Sequence, residues 1–166
     1  MNKNDGRPDC KFASARNEIN LWRARCIDEF CKGERKVGDC LSLALEKGVD
    51  TRLRRQAGLR LDDLVKLAAK FKGSAKDEER LSSAIDRWRE IEGRRIFFAH
   101  GCAEELLDKR GRWTVTLTMV TGNSKRPDEN RWCQTSAEAA DYEQRLKTAY
   151  RDLSQQLGLL CARISG

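Results

Sequence analysis

The stretch that decides the fold reads Arg94-Arg95-Ile96-Phe97-Phe98-Ala99-His100-Gly101. It contains the only histidine of the 166-residue chain, and an arginine pair lies five and six residues before it. An imidazole titrates near neutral pH, and a guanidinium presents a planar fork of donors that matches phosphate oxygens. A guanidinium and an imidazole this close together are what metal-free cleavage of a phosphodiester requires.

Helical periodicity leads up to this stretch and follows it for a few residues. Apolar residues recur at intervals of three and four, which predicts helices over residues 14–32, 37–46, 61–71 and 74–99, the last with an open extension to Leu107. Alternation at residues 41–45 also fits a strand, but the neighbouring Asp39 and Gly48 favour a short helix. Ser74 is the expected N-cap of the fourth helix, and Lys32-Gly33 is the expected end of the first.

The period changes after the arginine–histidine stretch. Trp113–Thr121 alternates and is rich in β-branched residues, which predicts a strand, and residues 130–134 fit its return strand after a turn. A last amphipathic helix is expected to begin at Ser136, its N-cap, and to run to about residue 163. The predicted fold is mainly α: a helical bundle with a small β-hairpin before the last long helix, in a single domain over residues 13–166 after a flexible lead-in at residues 1–12.

Composition limits the classes of partner and compartment. The net charge of +7 favours a polyanion such as RNA, and the absence of an apolar run long enough for a bilayer predicts a cytoplasmic protein with no membrane partner. Seven cysteines without a Cys-x-x-Cys motif indicate free thiols packed as small hydrophobic side chains. No metal site and no cofactor motif is found in the sequence.

Helix geometry constrains how the histidine and the arginines can meet. At about 100° per residue, Arg95 and His100 lie about 140° apart around an ideal helix, and Arg94 and His100 about 120° apart. A compact site therefore requires either that the helix unwinds near Gly101 or that a second copy of the chain contributes to it. A twofold homodimer brings two sets of these residues into one cleft, and it is the favoured route.

The Arg95-x4-His100-Gly101 pattern, within helices and followed by a hairpin and a long amphipathic helix, resembles the HEPN family over roughly residues 13–163. The resemblance implies a helical bundle that dimerises and acts as a metal-independent endoribonuclease, in many members a toxin of a toxin–antitoxin system or a component of anti-phage defence. It implies that Arg95 stabilises charge on the phosphate and that His100 acts as acid or base. An antitoxin or another regulatory protein is a further implied partner.

One position departs from the family pattern, and two alternatives stay open. The residue after the arginine is commonly polar in the family, and here it is Ile96. The first alternative is therefore a non-catalytic HEPN-like module that binds nucleic acid or a partner protein. The second is a helical interaction protein whose histidine is structural and whose Arg95 pairs with a carboxylate such as Glu92. Candidate residues for contacting the RNA backbone are Arg94, Lys109, Arg110 and Arg112.

Overall fold

The computed structural model describes residues 10–123 and 126–166. It is mainly helical with a small antiparallel sheet, which confirms the predicted fold class at that level. In chain order the elements are α1 (Cys10–Glu46), α2 (Ala57–Lys70), α3 (Ala75–Glu92), α4 (Arg95–His100), β1 (Cys102–Leu107), β2 (Trp113–Asn123), β3 (Arg126–Thr135) and α5 (Ser136–Ser165). Most of the expected lead-in, residues 1–12, lies outside the described residues.

Two compact units are built from these elements. The first consists of the chain up to Ile27 together with Ile96–Glu143, so it contains the sheet. The second consists of Asp28–Arg95 together with Gln144–Gly166, so it contains α2 and α3. The boundary after Arg95 places the first residue of α4 in the second unit and the rest of α4 in the first.

The first helix does not end at Lys32-Gly33, as the sequence had predicted, but continues to Glu46. Gly33 is buried inside the helix, where a Cβ atom would lie only 2.1 Å from Cζ2 of Trp88. The ring of Trp88 also contacts Phe30, with centroids 6.1 Å apart. The glycine therefore permits close approach of a tryptophan from α3 to the helix backbone, and it is not a stop signal.

The predicted N-cap of α3 is confirmed. The Ser74 hydroxyl accepts a hydrogen bond from the Asp77 N–H, and the Asp77 carboxylate accepts one from the Ser74 N–H, which is a capping box. The apolar stripe of the helix faces the core of the second unit. Its buried members are Leu81, Ala84, Ile85, Trp88 and Ile91.

The helical prediction from residue 102 onward was wrong, because residues 102–107 form strand β1. A three-stranded antiparallel sheet in the order β1-β2-β3 therefore replaces the expected two-stranded hairpin. Gly101 makes the change of direction possible, since a Cβ there would lie 2.4 Å from the carbonyl oxygen of Phe97. Pairing of β1 with β2, Cys102 opposite Thr118, is a tertiary contact that overrides local helical preference.

The strands β2 and β3 extend further than predicted, and α5 is capped one residue earlier. Strand pairing runs as far as Asn123 opposite Arg126, inside the segment expected to be a turn. The Thr135 hydroxyl accepts a hydrogen bond from the N–H of Glu138, and the Glu138 carboxylate accepts from the N–H and hydroxyl of Thr135. Thr135, and not Ser136, therefore forms the capping box of α5.

An aromatic cluster forms the core of the first unit. The ring of Trp22 on α1 lies 5.1 Å from that of Phe98 and 6.1 Å from those of Trp113 and Trp132, measured between centroids. Trp132 also contacts Tyr142 of α5 edge-on at 4.9 Å. The indole N–H of Trp22 is satisfied, because it donates to the carbonyl of Ala139 at 2.9 Å. Rings from α1, α4, the sheet and α5 thus meet around one buried tryptophan.

Candidate functional site

The helix α4 is short and is anchored by its middle. Phe97 and Phe98 are buried, 6% and 1% exposed, whereas Ile96, Ala99 and His100 are exposed. The aromatic core therefore fixes the buried side of α4 and leaves its other side accessible. His100 is the last residue of the helix.

Arg23 of α1 holds the chain on both sides of His100. Its Nη2 donates to the carbonyl oxygens of Phe98 and Gly101, both at 3.1 Å. These carbonyls are among the groups that a helix C-terminus leaves without an intrahelical donor. Arg23 therefore stabilises the backbone position from which the imidazole projects. The sequence prediction missed this residue, because its partners are backbone atoms 75 and 78 residues away.

Arg95 belongs to a charged cluster of the second unit. Its Nε forms an ion pair with Glu34 of α1 at 2.5 Å, and the same carboxylate lies 3.2 Å from Nη2 of Arg60 of α2. Burial raises the pKa of Glu92, while the charge of Arg95 acts in the opposite direction. Arg95 thus pairs with Glu34, and not with Glu92, which sequence reasoning had named as the example of such a partner.

The two predicted catalytic residues belong to different units. His100 lies in the first unit and Arg95 in the second, so neither unit contains both residues by itself. Arg95 remains 40% exposed in its side chain, and His100 is exposed. Arg94 is also exposed and lies in the break between α3 and α4, where its N–H donates to the carbonyl of Ile91 at 3.1 Å.

The other predicted RNA contacts lie in the turn between β1 and β2, where Asp108 organises the backbone. Its carboxylate accepts hydrogen bonds from the N–H groups of Arg110 and Arg112 at 2.8 and 2.9 Å, and from Nε of Arg112 at 2.8 Å. These hydrogen bonds hold the pKa of Asp108 below its usual value. The Arg112 side chain is therefore engaged in the turn, whereas the side chains of Lys109 and Arg110 are exposed.

Among residues 10–123 and 126–166, no group of three or more histidine, cysteine, aspartate or glutamate side chains is placed to hold a metal ion. The six cysteines whose state is described form no disulfide, and of these Cys26 and Cys40 are buried. No helix in the described part of the chain is both long enough and apolar enough to span a bilayer.

Comparison with known proteins gives no relative. No family model, no curated protein and no solved structure matches the chain. The resemblance to the HEPN family therefore stays a prediction.

Proposed function

We propose that the chain is a HEPN-type endoribonuclease that cleaves RNA at a site shared between the two copies of a homodimer. The observation that carries the proposal is the placement of His100: it is exposed, it ends a short helix anchored in an aromatic core, and Arg23 fixes the carbonyls beside it. A titratable group on a rigid support, open to a substrate, is what acid–base catalysis requires.

The reaction we assign is transesterification by the RNA 2′-hydroxyl. The 2′-oxygen loses its proton and attacks phosphorus, a cyclic phosphodiester forms, and the bond from phosphorus to the 5′-oxygen breaks as that oxygen gains a proton. His100 serves as the base or the acid, and Arg95 neutralises the charge that builds on the non-bridging oxygens. Arg94, Lys109 and Arg110 would contact neighbouring phosphates, and a net charge of +7 favours such a polyanion.

A second copy of the chain is part of the proposal. Arg95 and His100 are the first and last residues of α4, so their side chains leave the helix about 140° apart. A twofold axis near α4 would place the imidazole of one protomer beside the guanidinium of the other. Ile96, which is 40% exposed, would then be covered by the partner. A cytoplasmic toxin or anti-phage role, with an antitoxin as a regulatory partner, is consistent with this chemistry.

A second candidate function is a HEPN-like module that binds nucleic acid or a protein without turnover. The ion pair between Arg95 and Glu34 favours it, because a guanidinium held by a carboxylate is partly neutralised. The exposed Ile96 in place of a polar residue favours it as well. In this reading Arg94 and the turn residues Lys109 and Arg110 would contribute to binding, and His100 would not contribute to any chemistry.

Cleavage of RNA in the presence of EDTA separates the two functions. The full-length protein is expected to cut a single-stranded or tRNA-like RNA, and His100→Ala is expected to lower the rate by at least about 100-fold. Asn20→Ala, an exposed polar residue of the same unit, is the matched control and should leave the rate unchanged. Cleavage that survives His100→Ala removes the histidine from the chemistry. RNA binding without cleavage supports the second function.

A further inference from the structure

The second unit contains a cavity between α2 and α3 that the proposed ribonuclease does not use. Its volume is about 320 Å³, which is at the lower end of the range of small-molecule pockets, about 300–1,000 Å³. Its apolar wall is formed by Val65 of α2, Phe71 just after α2, and Leu81 and Ile85 of α3. Leu81 and Ile85 are also part of the core, so the wall is held by the fold.

Arg163, near the end of α5, lines the same cavity. Its Nε and Nη1 atoms are buried, and neither has a hydrogen-bond partner among the described residues. Gly73 allows the guanidinium to lie this deep, because a Cβ at that position would be 2.0 Å from Nη1. A buried charged donor without an acceptor is unfavourable, so an anion that entered the cavity would satisfy it.

The other charges around the cavity are balanced without Arg163. Two other cations and two carboxylates line it, namely Lys72, Arg89, Glu78 and Asp86. Arg89 also pairs with Asp62 at 2.9 Å, outside the lining. The preference for an anionic ligand therefore rests on Arg163, whose buried nitrogens have no acceptor in the described part of the chain.

The carboxylate of Asp77 does not replace such a ligand. It is close enough for the charge of Arg163 to help lower its pKa, but hydrogen bonds from Ser74 are the larger cause. The Ser74 hydroxyl lies 2.7 Å from the carboxylate in the capping box of α3. Asp77 is thus committed to the helix terminus.

We propose that this cavity binds a small amphiphile, a short apolar chain that ends in one anionic group, either a carboxylate or a phosphate monoester. The anionic group pairs with the buried nitrogens of Arg163, and the chain lies against Leu81 and Ile85 between α2 and α3. The proposal uses only residues of the second unit and does not depend on the ribonuclease activity.

Calorimetric titration of the full chain tests the ligand chemistry. Sodium octanoate and octyl phosphate carry the two kinds of anionic group on an alkyl chain. Octanol provides an alkyl chain without a charge, and inorganic phosphate provides a charge without an alkyl chain. At least one of the two anionic amphiphiles is expected to bind saturably with one site, and the tighter of them identifies the group. Octanol is expected to bind at least about tenfold more weakly. Equal binding of octanol, or no saturable binding of either anion, would overturn the proposal.

Variants then test the location. Arg163→Gln is expected to weaken binding of the tighter anion by about tenfold or more, whereas Arg145→Gln, exposed on the same helix, should have no effect. Ala69→Trp introduces a large ring at an exposed position of the lining and should abolish binding. Circular dichroism checks that each variant is folded. If Arg163→Gln does not fold, Ala69→Trp decides, and unchanged binding in the folded variants would refute the location.

Discussion

Substitution of Gly33 by alanine is expected to destabilise the protein, although alanine is the better helix former. The new Cβ would lie 2.1 Å from Cζ2 and 2.3 Å from Cη2 of Trp88. Ordinary contacts begin at about 3.4 Å, so the ring and the helix would have to separate by about 1.3 Å, the difference between 3.4 and 2.1. Trp88 is only 1% exposed and packs against Phe30, which limits such a movement.

The change in the free energy of unfolding caused by Gly33→Ala is the difference between two opposing effects. Replacing a helix-interior glycine by alanine gains up to about 1 kcal/mol of helix stability. Overpacking a tight core costs about 1–3 kcal/mol, and a rigid buried indole places this site at the upper end. The expected net loss in the free energy of unfolding is therefore about 2 kcal/mol. For a chain of this size that corresponds to a decrease in Tm of about 4–8 °C.

Gly38 provides a matched control in the same helix. The nearest atom to a Cβ at this position is Nη1 of Arg60 at 3.7 Å, which is an ordinary contact. Gly38→Ala should therefore stabilise the protein by about 0.5–1 kcal/mol. Urea unfolding followed by circular dichroism measures both variants. If Gly33→Ala proves as stable as Gly38→Ala, the close approach of Trp88 is not what requires the glycine.

Two further predictions concern the support of α4 and the cap of α5. Arg23→Met should lower the free energy of unfolding by about 1–3 kcal/mol, because the carbonyls of Phe98 and Gly101 lose their shared donor. Arg35→Met, at an exposed position of the same helix, is the control. Equal urea midpoints for the two variants would contradict the prediction. The pKa of Glu138 is lowered by hydrogen bonds from Thr135. This carboxylate therefore stabilises the fold at pH values above its unfolded pKa of 4.5, and the stabilisation is lost as the pH falls through its lower folded pKa. Glu138→Gln keeps the cap and should flatten the decrease in Tm as the pH falls below 4.5. A decrease as steep as that of the unaltered protein would show that this carboxylate does not contribute.

The parts of the fold that local chemistry dictates were predictable from the sequence. Ser74 was expected to cap α3 and does so, because a capping box is formed by residues three apart. The apolar stripe and the β-branched alternation after Trp113 likewise report local burial. The predictions that failed concern residues whose structure depends on contacts with distant parts of the chain. Gly33 resembles a stop unless Trp88 is known to lie against it, and residues 102–107 become a strand only by pairing with β2.

The candidate site shows the same division. The spacing of Arg95 and His100 is visible in the sequence, and so is the exposed basic turn that contains Lys109 and Arg110. The contacts that surround these residues are not visible in the sequence. Arg23 is one of 33 basic residues, and only its contacts with carbonyls far along the chain distinguish it. The pairing of Arg95 with Glu34 is equally a long-range contact.

The ion pair of Arg95 leaves most of its guanidinium open. Glu34 faces Nε, and the side chain is still 40% exposed. A guanidinium carries five N–H donors, so one contact through Nε leaves the terminal nitrogens able to bind a phosphate. The ion pair therefore reduces the local charge of Arg95 without covering the whole side chain.

Glu92 determines how much of that charge is lost. The cluster contains two guanidinium groups, Arg60 and Arg95, and two carboxyl groups, Glu34 and Glu92. Burial raises the pKa of Glu92, so it retains its proton to higher pH than an ordinary glutamate. Whenever Glu92 is protonated, the cluster carries one net positive charge. A phosphate group is then attracted to the exposed guanidinium, which the proposed ribonuclease requires of this residue.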